Sequence, residues 1–335
     1  MLKEMNYMPD EILNTRAEDL YEILKAPTLF HLQGINPQPL FISTLLHGNE
    51  TTGLYAVQRL LKKFRERPLP RAVSLFIGNV EAAKERQRHL DNQDDYNRIW
   101  PGSHHNNSSE KDMMQAVTYI MAKKKPFASI DIHNNTGKNP HYACINILNP
   151  HGLTLASKFS DIVVYFTSPK GVQSAAFSDF CPSIVLECGQ SGEKSGEDHA
   201  LDYLESILQL EELSLSASNN MRLYHTVARV TIPDTISIGN DLDRNLCDIY
   251  LNTQLEYKNF QRIDLGTEFA VFNAESEKLL VVSSESDEDV TNEYIAIEGN
   301  RLLFKKPITL AMFTSCEKAI RQDCVCYFME ELHIG

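Results

Sequence analysis

Apolar positions in the first two-thirds of the chain follow two alternating patterns. Residues 40–46 (LFISTLL), 72–77 (AVSLFI), 127–132 (FASIDI) and 183–186 (SIVL) are short, nearly continuous apolar runs, the signature of strands buried on both faces. Between them Leu54, Val57, Leu60, Leu61 and Phe64 recur at helical spacing with lysine or arginine interposed. Further helical patterns are read at 113–123 and over much of 199–213. Strand-helix alternation of this kind predicts an α/β fold, a central mixed, mainly parallel sheet with helices on its faces.

The pattern changes near residue 214. The run SLSASNN at 214–220 reads as a joint, and short β-like runs follow at 227–232, 269–272, 279–282, 294–297, 302–304 and 308–313. Turn residues such as Glu298-Gly299-Asn300 separate them, and 283–289 (SSESDED) reads as an acidic surface loop. Two domains are therefore expected, a catalytic one over 1–215 and a small C-terminal all-β one over 221–335. The tail from Cys316 reads equally as helix or strand.

Composition narrows the classes. With 42% hydrophobic and 23% charged residues the chain is neither disordered nor fibrous. A net charge of -13 repels nucleic acid, and no basic stripe offsets it. Seven cysteines, an odd number at unrelated spacings, argue against a disulfide framework. Residues 1–10 lack the apolar stretch of a secretion signal, and no run reaches the roughly 18 apolar residues of a membrane span, so a cytoplasmic protein without membrane partners is expected.

Four places carry chemistry. In His47-Gly48-Asn49-Glu50 a strand delivers a histidine, a glycine turns the chain, and a glutamate opens a helix. Residues i and i+3 across such a turn can face one ion, and catalytic zinc takes three ligands of this type with one open position. The same pair also reads as a helix entry, with Glu50 favoured by the helix dipole. In Asp131-Ile132-His133, aspartate and histidine lie on one side of a strand, so the carboxylate suits the spare imidazole N–H of a metal-bound ring. Glu187 ends a third apolar run. Functional groups collect beyond the carboxyl ends of strands in open parallel sheets, which makes Glu187 the candidate general base. Lastly, Arg88 and Asn97-Arg98 lie in an aspartate-rich segment. An arginine there clamps a carboxylate or stabilises an oxyanion, or else Arg88 simply pairs with Asp91, Asp94 or Asp95.

Taken together, HGNE at 47–50, NRIW at 97–100, DIHNNTG at 131–137 and the apolar strand into Glu187 resemble the succinylglutamate desuccinylase and aspartoacylase family, a branch of the zinc carboxypeptidase-like superfamily. The four motifs occur in the family's order, and the resemblance spans about 38 to 200. It implies a zinc carboxypeptidase-like fold and one zinc ion per chain held by His47, Glu50 and His133. It also implies that Glu187 activates water and then protonates the leaving amine. Asn97 and Arg98 would grip the substrate's α-carboxylate, and Arg88 would polarise the scissile carbonyl. The interval from Arg88 to Asn97 is longer than in the aspartoacylases. The stretch 176–180 (AFSDF) lacks the arginine they use for a second carboxylate, and Asn139 to Cys144 replaces the arginine that follows the histidine in the desuccinylases.

The expected activity is hydrolysis of an N-acyl amino acid. A metallocarboxypeptidase acting on short peptides is the alternative within the same chemistry, and a silent module binding a small carboxylate is the alternative outside it. His104-His105 reads as an exposed loop. His141 and Tyr142 are possible pocket walls, and Lys170 is a candidate for the missing positive charge.

Overall fold

The computed structural model describes residues 2–215, 218, 220–239, 246–273 and 278–333. Contacts divide the chain into two compact units, 1–134 with 141–165 and 169–222, and 135–140 with 166–168 and 223–335. Of the joint read at 214–220, Ser216, Ala217 and Asn219 lie outside the described residues.

Among its described residues the first unit holds eight strands: β1 (Lys3–Met5), β2 (Thr28–Leu32), β3 (Gly34–Thr44), β4 (Leu69–Ile77), β5 (Ala128–His133), β6 (Tyr142–Ile145), β7 (Ile162–Tyr165) and β8 (Ser183–Glu187). They are ordered β1-β2-β4-β3-β5-β8-β6-β7. Only β2 with β4 and β6 with β8 pair antiparallel; the remaining neighbours run parallel, as the apolar runs predicted. The short strands β1, β2, β6 and β7, of three to five residues, were not singled out from the sequence.

Its helices are α1 (Leu20–Leu24), α2 (Thr52–Lys63), α3 (Val80–Lys84), α4 (Ser109–Lys124), α5 (Pro150–Phe159), α6 (Gln173–Ser178) and α7 (Lys194–Leu208). Helix α4 starts four residues before the apolar pattern at 113, since the Ser108 hydroxyl accepts the Lys111 N–H and caps it. Alternation along β3 sends Phe41 to one face and Thr44 to the other. Phe41 stacks on Phe177 of α6, with ring centroids 4.4 Å apart, in a core shared with Met114 and Val117 of α4. On the opposite face Gly53 of α2 lies so close that a Cβ there would stand 2.7 Å from Thr44 Oγ1 and 2.9 Å from Ile132 Cβ. Helices thus cover both faces of the sheet.

The second unit contains β9 (Arg222–Thr231), β10 (Ile238–Gly239), β11 (Ile249–Leu251), β12 (Arg262–Ile263), β13 (Glu268–Phe272), β14 (Val281–Ser284), β15 (Ile295–Glu298), β16 (Arg301–Phe304), β17 (Ile308–Ala311) and β18 (Cys326–Leu332). Two layers form, β14-β9-β18-β17-β12 and β10-β11-β13-β16-β15, with Phe269, Phe304, Phe313 and Phe328 in their common core. Two short helices, α8 (Thr291–Tyr294) and α9 (Glu317–Gln322), interrupt the expected all-β pattern. The ambiguous tail resolves into both alternatives, α9 followed by β18. No helix among the described residues is long and apolar enough to cross a membrane.

Candidate metal centre

Strands β3 and β5 are parallel neighbours with Ser43 opposite Asp131, and β5 and β8 are parallel neighbours with His133 opposite Glu187. The chain therefore leaves all three strands at one edge of the sheet. Past β3, Leu45 takes a left-handed conformation (φ 55°) and the turn through Gly48 follows. A Cβ on Gly48 would sit 2.2 Å from the Ala83 nitrogen and 2.3 Å from the Ala82 carbonyl carbon, so only glycine allows this approach. The Glu50 N–H donates to the His47 carbonyl at 3.1 Å, closing a turn that aims both side chains inward.

His47, Glu50 and His133 are all buried, and one ligand atom from each lies within 4.8 Å of the others. His47 Nδ1 is 2.8 Å from Glu50 Oε1, and His133 Nδ1 is 2.8 Å from Glu50 Oε2. Each ring presents its other nitrogen to a second carboxylate: His47 Nε2 lies 3.0 Å from Asp95 Oδ1, and His133 Nε2 lies 2.8 Å from Asp131 Oδ2. Those outer carboxylates are themselves held. Ser43 Oγ donates to Asp131 at 2.7 Å, Arg88 Nε donates to Asp95 at 2.9 Å, and the Asn97 N–H donates to Asp95 at 2.8 Å.

Burial disfavours charge on Glu50, yet the His47 and His133 imidazoles hold its carboxyl well below the usual range. Burial likewise opposes charge on Asp95, and the Arg88 guanidinium, with His47 and Arg98, keeps its carboxyl low. His133 is pushed the other way. Against its burial, Asp131 and Glu50 make it a much stronger base than an ordinary imidazole, which favours metal ligation by the ring.

This donor set fits a zinc ion. Two imidazoles and a carboxylate match a catalytic zinc site, whose ligand atoms stand about 3.4 Å apart when each bond is about 2.1 Å. Both Nδ1 atoms face the same carboxylate, and both outer nitrogens have carboxylate partners that fix the tautomer. Four largely buried carboxylic side chains, Glu50, Asp95, Asp131 and Glu187, outnumber the two arginines of the region, Arg88 and Arg98, once the imidazoles are neutral as metal ligands are. A divalent cation offsets that excess. The thiols of Cys144 and Cys188 are pushed far up by burial and by nearby Glu187, so they remain neutral and are poor ligands.

The remaining predicted residues surround this cluster. Asn97 Nδ2 lies 3.2 Å from His133 Nε2, and its Oδ1 accepts the Gln173 N–H at 3.0 Å. Arg98 is next to it in the chain and donates through Nη1 to the Asn97 carbonyl at 2.9 Å. Arg88 pairs with Asp95 inside the cluster instead of on a solvated face; its Nη1 is 3.9 Å from Glu50 Oε1. Trp100 anchors the segment, donating its indole N–H to the Tyr96 carbonyl at 2.8 Å and packing edge-on to Phe76 and Phe177. His104 and His105 are exposed, as read. Lys170 is exposed next to Gly171, whose carbonyl accepts the Trp100 N–H. His141 packs against His199 and Phe159.

Two contributors were not singled out from sequence, and a third, Asp95, was read only as one of three possible partners of Arg88. Asp95 binds both His47 and Arg88. Asn134 donates its N–H to Glu50 at 2.9 Å and its amide to Thr52 and Gly189, tying the ends of the three strands together. Gln173, fully buried, holds Asn97. Neither Asn134 nor Gln173 carries a sequence signal that separates it from an ordinary loop amide.

Residues 37–210 match the family described as the succinylglutamate desuccinylase/aspartoacylase catalytic domain. Comparison with curated proteins gives no match. Among solved structures, succinylglutamate desuccinylase from Chromobacterium violaceum aligns over 89% of this chain and 86% of its own, at 15% identity and a TM-score of 0.56. The Vibrio parahaemolyticus enzyme of the same name aligns over 89% and 82%, at 16% identity and a TM-score of 0.57. Murine aminoacylase 3 aligns over 90% and 97%, at 13% identity and a TM-score of 0.56. At such identities the likeness establishes a shared fold.

Proposed function

Because the chain belongs to the succinylglutamate desuccinylase/aspartoacylase family, we propose that it is a zinc-dependent hydrolase cleaving the amide bond of an N-acyl amino acid. The observation that carries this reading is the meeting of His47, Glu50 and His133 within 4.8 Å, beside a strand pairing that sets Glu187 opposite His133. Those three residues would hold the zinc, which when bound lowers the pKa of a water and polarises the acyl oxygen. Glu187 accepts a proton from the attacking water and returns it to the leaving nitrogen. Asn97 and Arg98 hold the α-carboxylate of the amino-acid half. Arg88, fixed by Asp95, stabilises charge developing on the acyl oxygen. Catalysis is assigned to 1–215 and the β-rich remainder, 221–335, to a separate domain. A cytoplasmic setting accords with seven cysteines, none of which is joined in a disulfide.

The test combines metal analysis of the purified protein with amine release from a panel of N-acetyl and N-succinyl amino acids and short peptides. One zinc per chain and turnover of an acylated amino acid are expected. Cleavage of peptides alone would replace this reading by a metallocarboxypeptidase. Failure to retain any metal after zinc is supplied would favour the silent carboxylate-binding module.

A further inference from the structure

The segment that supplies Asp95 and Asn97 also lines, through Gln93 and Tyr96, a polar cavity of about 130 Å³ that no residue of the metal centre borders. Two carboxylates enter it from different helices, Glu81 of α3 and Glu110 of α4. Each has one oxygen engaged by a neutral donor. Glu81 Oε2 accepts from Gln93 Nε2 at 2.8 Å, and Glu110 Oε2 accepts from Ser109 Oγ at 2.9 Å. Neither carboxylate pairs with a cation among the described residues. Lys25 borders the cavity too, but Glu22 takes its ammonium at 2.6 Å.

Tyr96 supplies the independent sign of a ligand. Its side chain is 95% buried, at 5% relative exposure, it lines the cavity, and its hydroxyl has no hydrogen-bond partner among the described residues. Burial pushes this phenol up, and Glu110 and Glu81 push it further, so it stays a neutral hydroxyl at physiological pH. The oxygen itself is not cut off from solvent, so it is open to accept a hydrogen bond from a ligand in the cavity.

We propose that this cavity binds a small molecule carrying a primary ammonium group. The three N–H donors of an ammonium match two carboxylates and a phenol oxygen, and its charge offsets the two unpaired negative groups. Ala26, Pro27 and Met113 complete the wall and suit the methylenes of an alkyl stem. The volume is close to that of an engineered cavity of about 150 Å³ that admits benzene, which limits the buried part of the ligand to roughly six heavy atoms. Occupancy is transmitted along the backbone, because Tyr96 stands between Asp95, which holds His47, and Asn97, which touches His133.

Trp100 gives a local readout. It is the protein's one tryptophan, it is fully buried, and its indole N–H binds the Tyr96 carbonyl. The full-length protein is titrated with ethylammonium chloride at constant ionic strength, following Trp100 emission and thermal melting, with ethanol as the neutral control. So small a ligand has a dissociation constant on the order of a millimolar or weaker, so the titration runs to about 100 mM. A saturable change with ethylammonium and none with ethanol is expected. In Glu81→Gln/Glu110→Gln the midpoint should rise about tenfold or more, and in Tyr96→Phe about threefold. An unchanged midpoint in the double variant, an equal response to ethanol, or no saturable response by either measure overturns the proposal. Should the double variant fail to fold, an unchanged midpoint in Tyr96→Phe overturns it instead.

Discussion

Replacing Asp131 by asparagine isolates the contribution of charge to metal affinity. Asp131 is fully buried and makes two contacts, accepting the Ser43 hydroxyl at 2.7 Å and facing His133 Nε2 at 2.8 Å. Asparagine has the same shape. Its oxygen can accept from the imidazole, and its NH₂ can donate to Ser43 Oγ once that hydroxyl turns. Both hydrogen bonds then survive as neutral ones. A hydrogen bond to a charged group contributes about 1.5–3 kcal/mol net and a neutral one about 1, so the loss at His133 is roughly 0.5–2 kcal/mol. That corresponds to about a tenfold weaker hold on zinc. Asp131→Ala goes further, since Ser43 Oγ loses its acceptor and His133 Nε2 is left facing only the Asn97 amide at 3.2 Å; about a hundredfold is expected. The assay is competition against a chromophoric chelator at fixed pH and ionic strength, with folding checked by circular dichroism. Zinc affinity in Asp131→Asn equal to wild type, or a loss larger than that in Asp131→Ala, would refute this account of His133.

Glu187→Gln should retain zinc at the wild-type level while turnover of an acylated amino acid falls by roughly 10²–10⁴, since the amide cannot accept a proton; undiminished turnover, measured by amine release, removes Glu187 from its assigned role. Gly48→Ala forces the turn away from Ala82 and Ala83, where a Cβ would lie within 2.3 Å of backbone atoms. A thermal melt should show a loss of about 3 kcal/mol or more, and zinc affinity should fall with it because His47 and Glu50 flank the displaced residue. A melting point like that of the wild type would mean the approach at Gly48 is looser than described.

Much of the centre was legible because its signals are local. A histidine or glutamate at the end of an apolar run can be read without knowing where the run goes, and the histidine, glycine and glutamate at 47, 48 and 50 mark a tight turn by themselves. The departures at 176–180 were also legible as sequence, but their physical meaning was not. Phe177 stacks on Phe41 in the core, a contact between residues remote in the chain. Of the C-terminal strands, β9 and β13 to β17 were recognised from their turn spacing, whereas β10, β11 and β12, of two or three residues, and α8 and α9, of four and six, are too short to impose a period.

The amino-acid order by itself determined the α/β alternation, the strand ends that carry His47, His133 and Glu187, and the chemical types available there. These follow from backbone periodicity and side-chain chemistry, both properties of a few consecutive residues. Tertiary structure decided which strands lie side by side, and so which of those ends share one edge, because pairing register depends on packing over the whole sheet. It also chose Asp95 over Asp91 and Asp94 as the carboxylate between His47 and Arg88. The segment from 85 to 108 contains no regular element among the described residues, and only the surfaces against which it packs set its path.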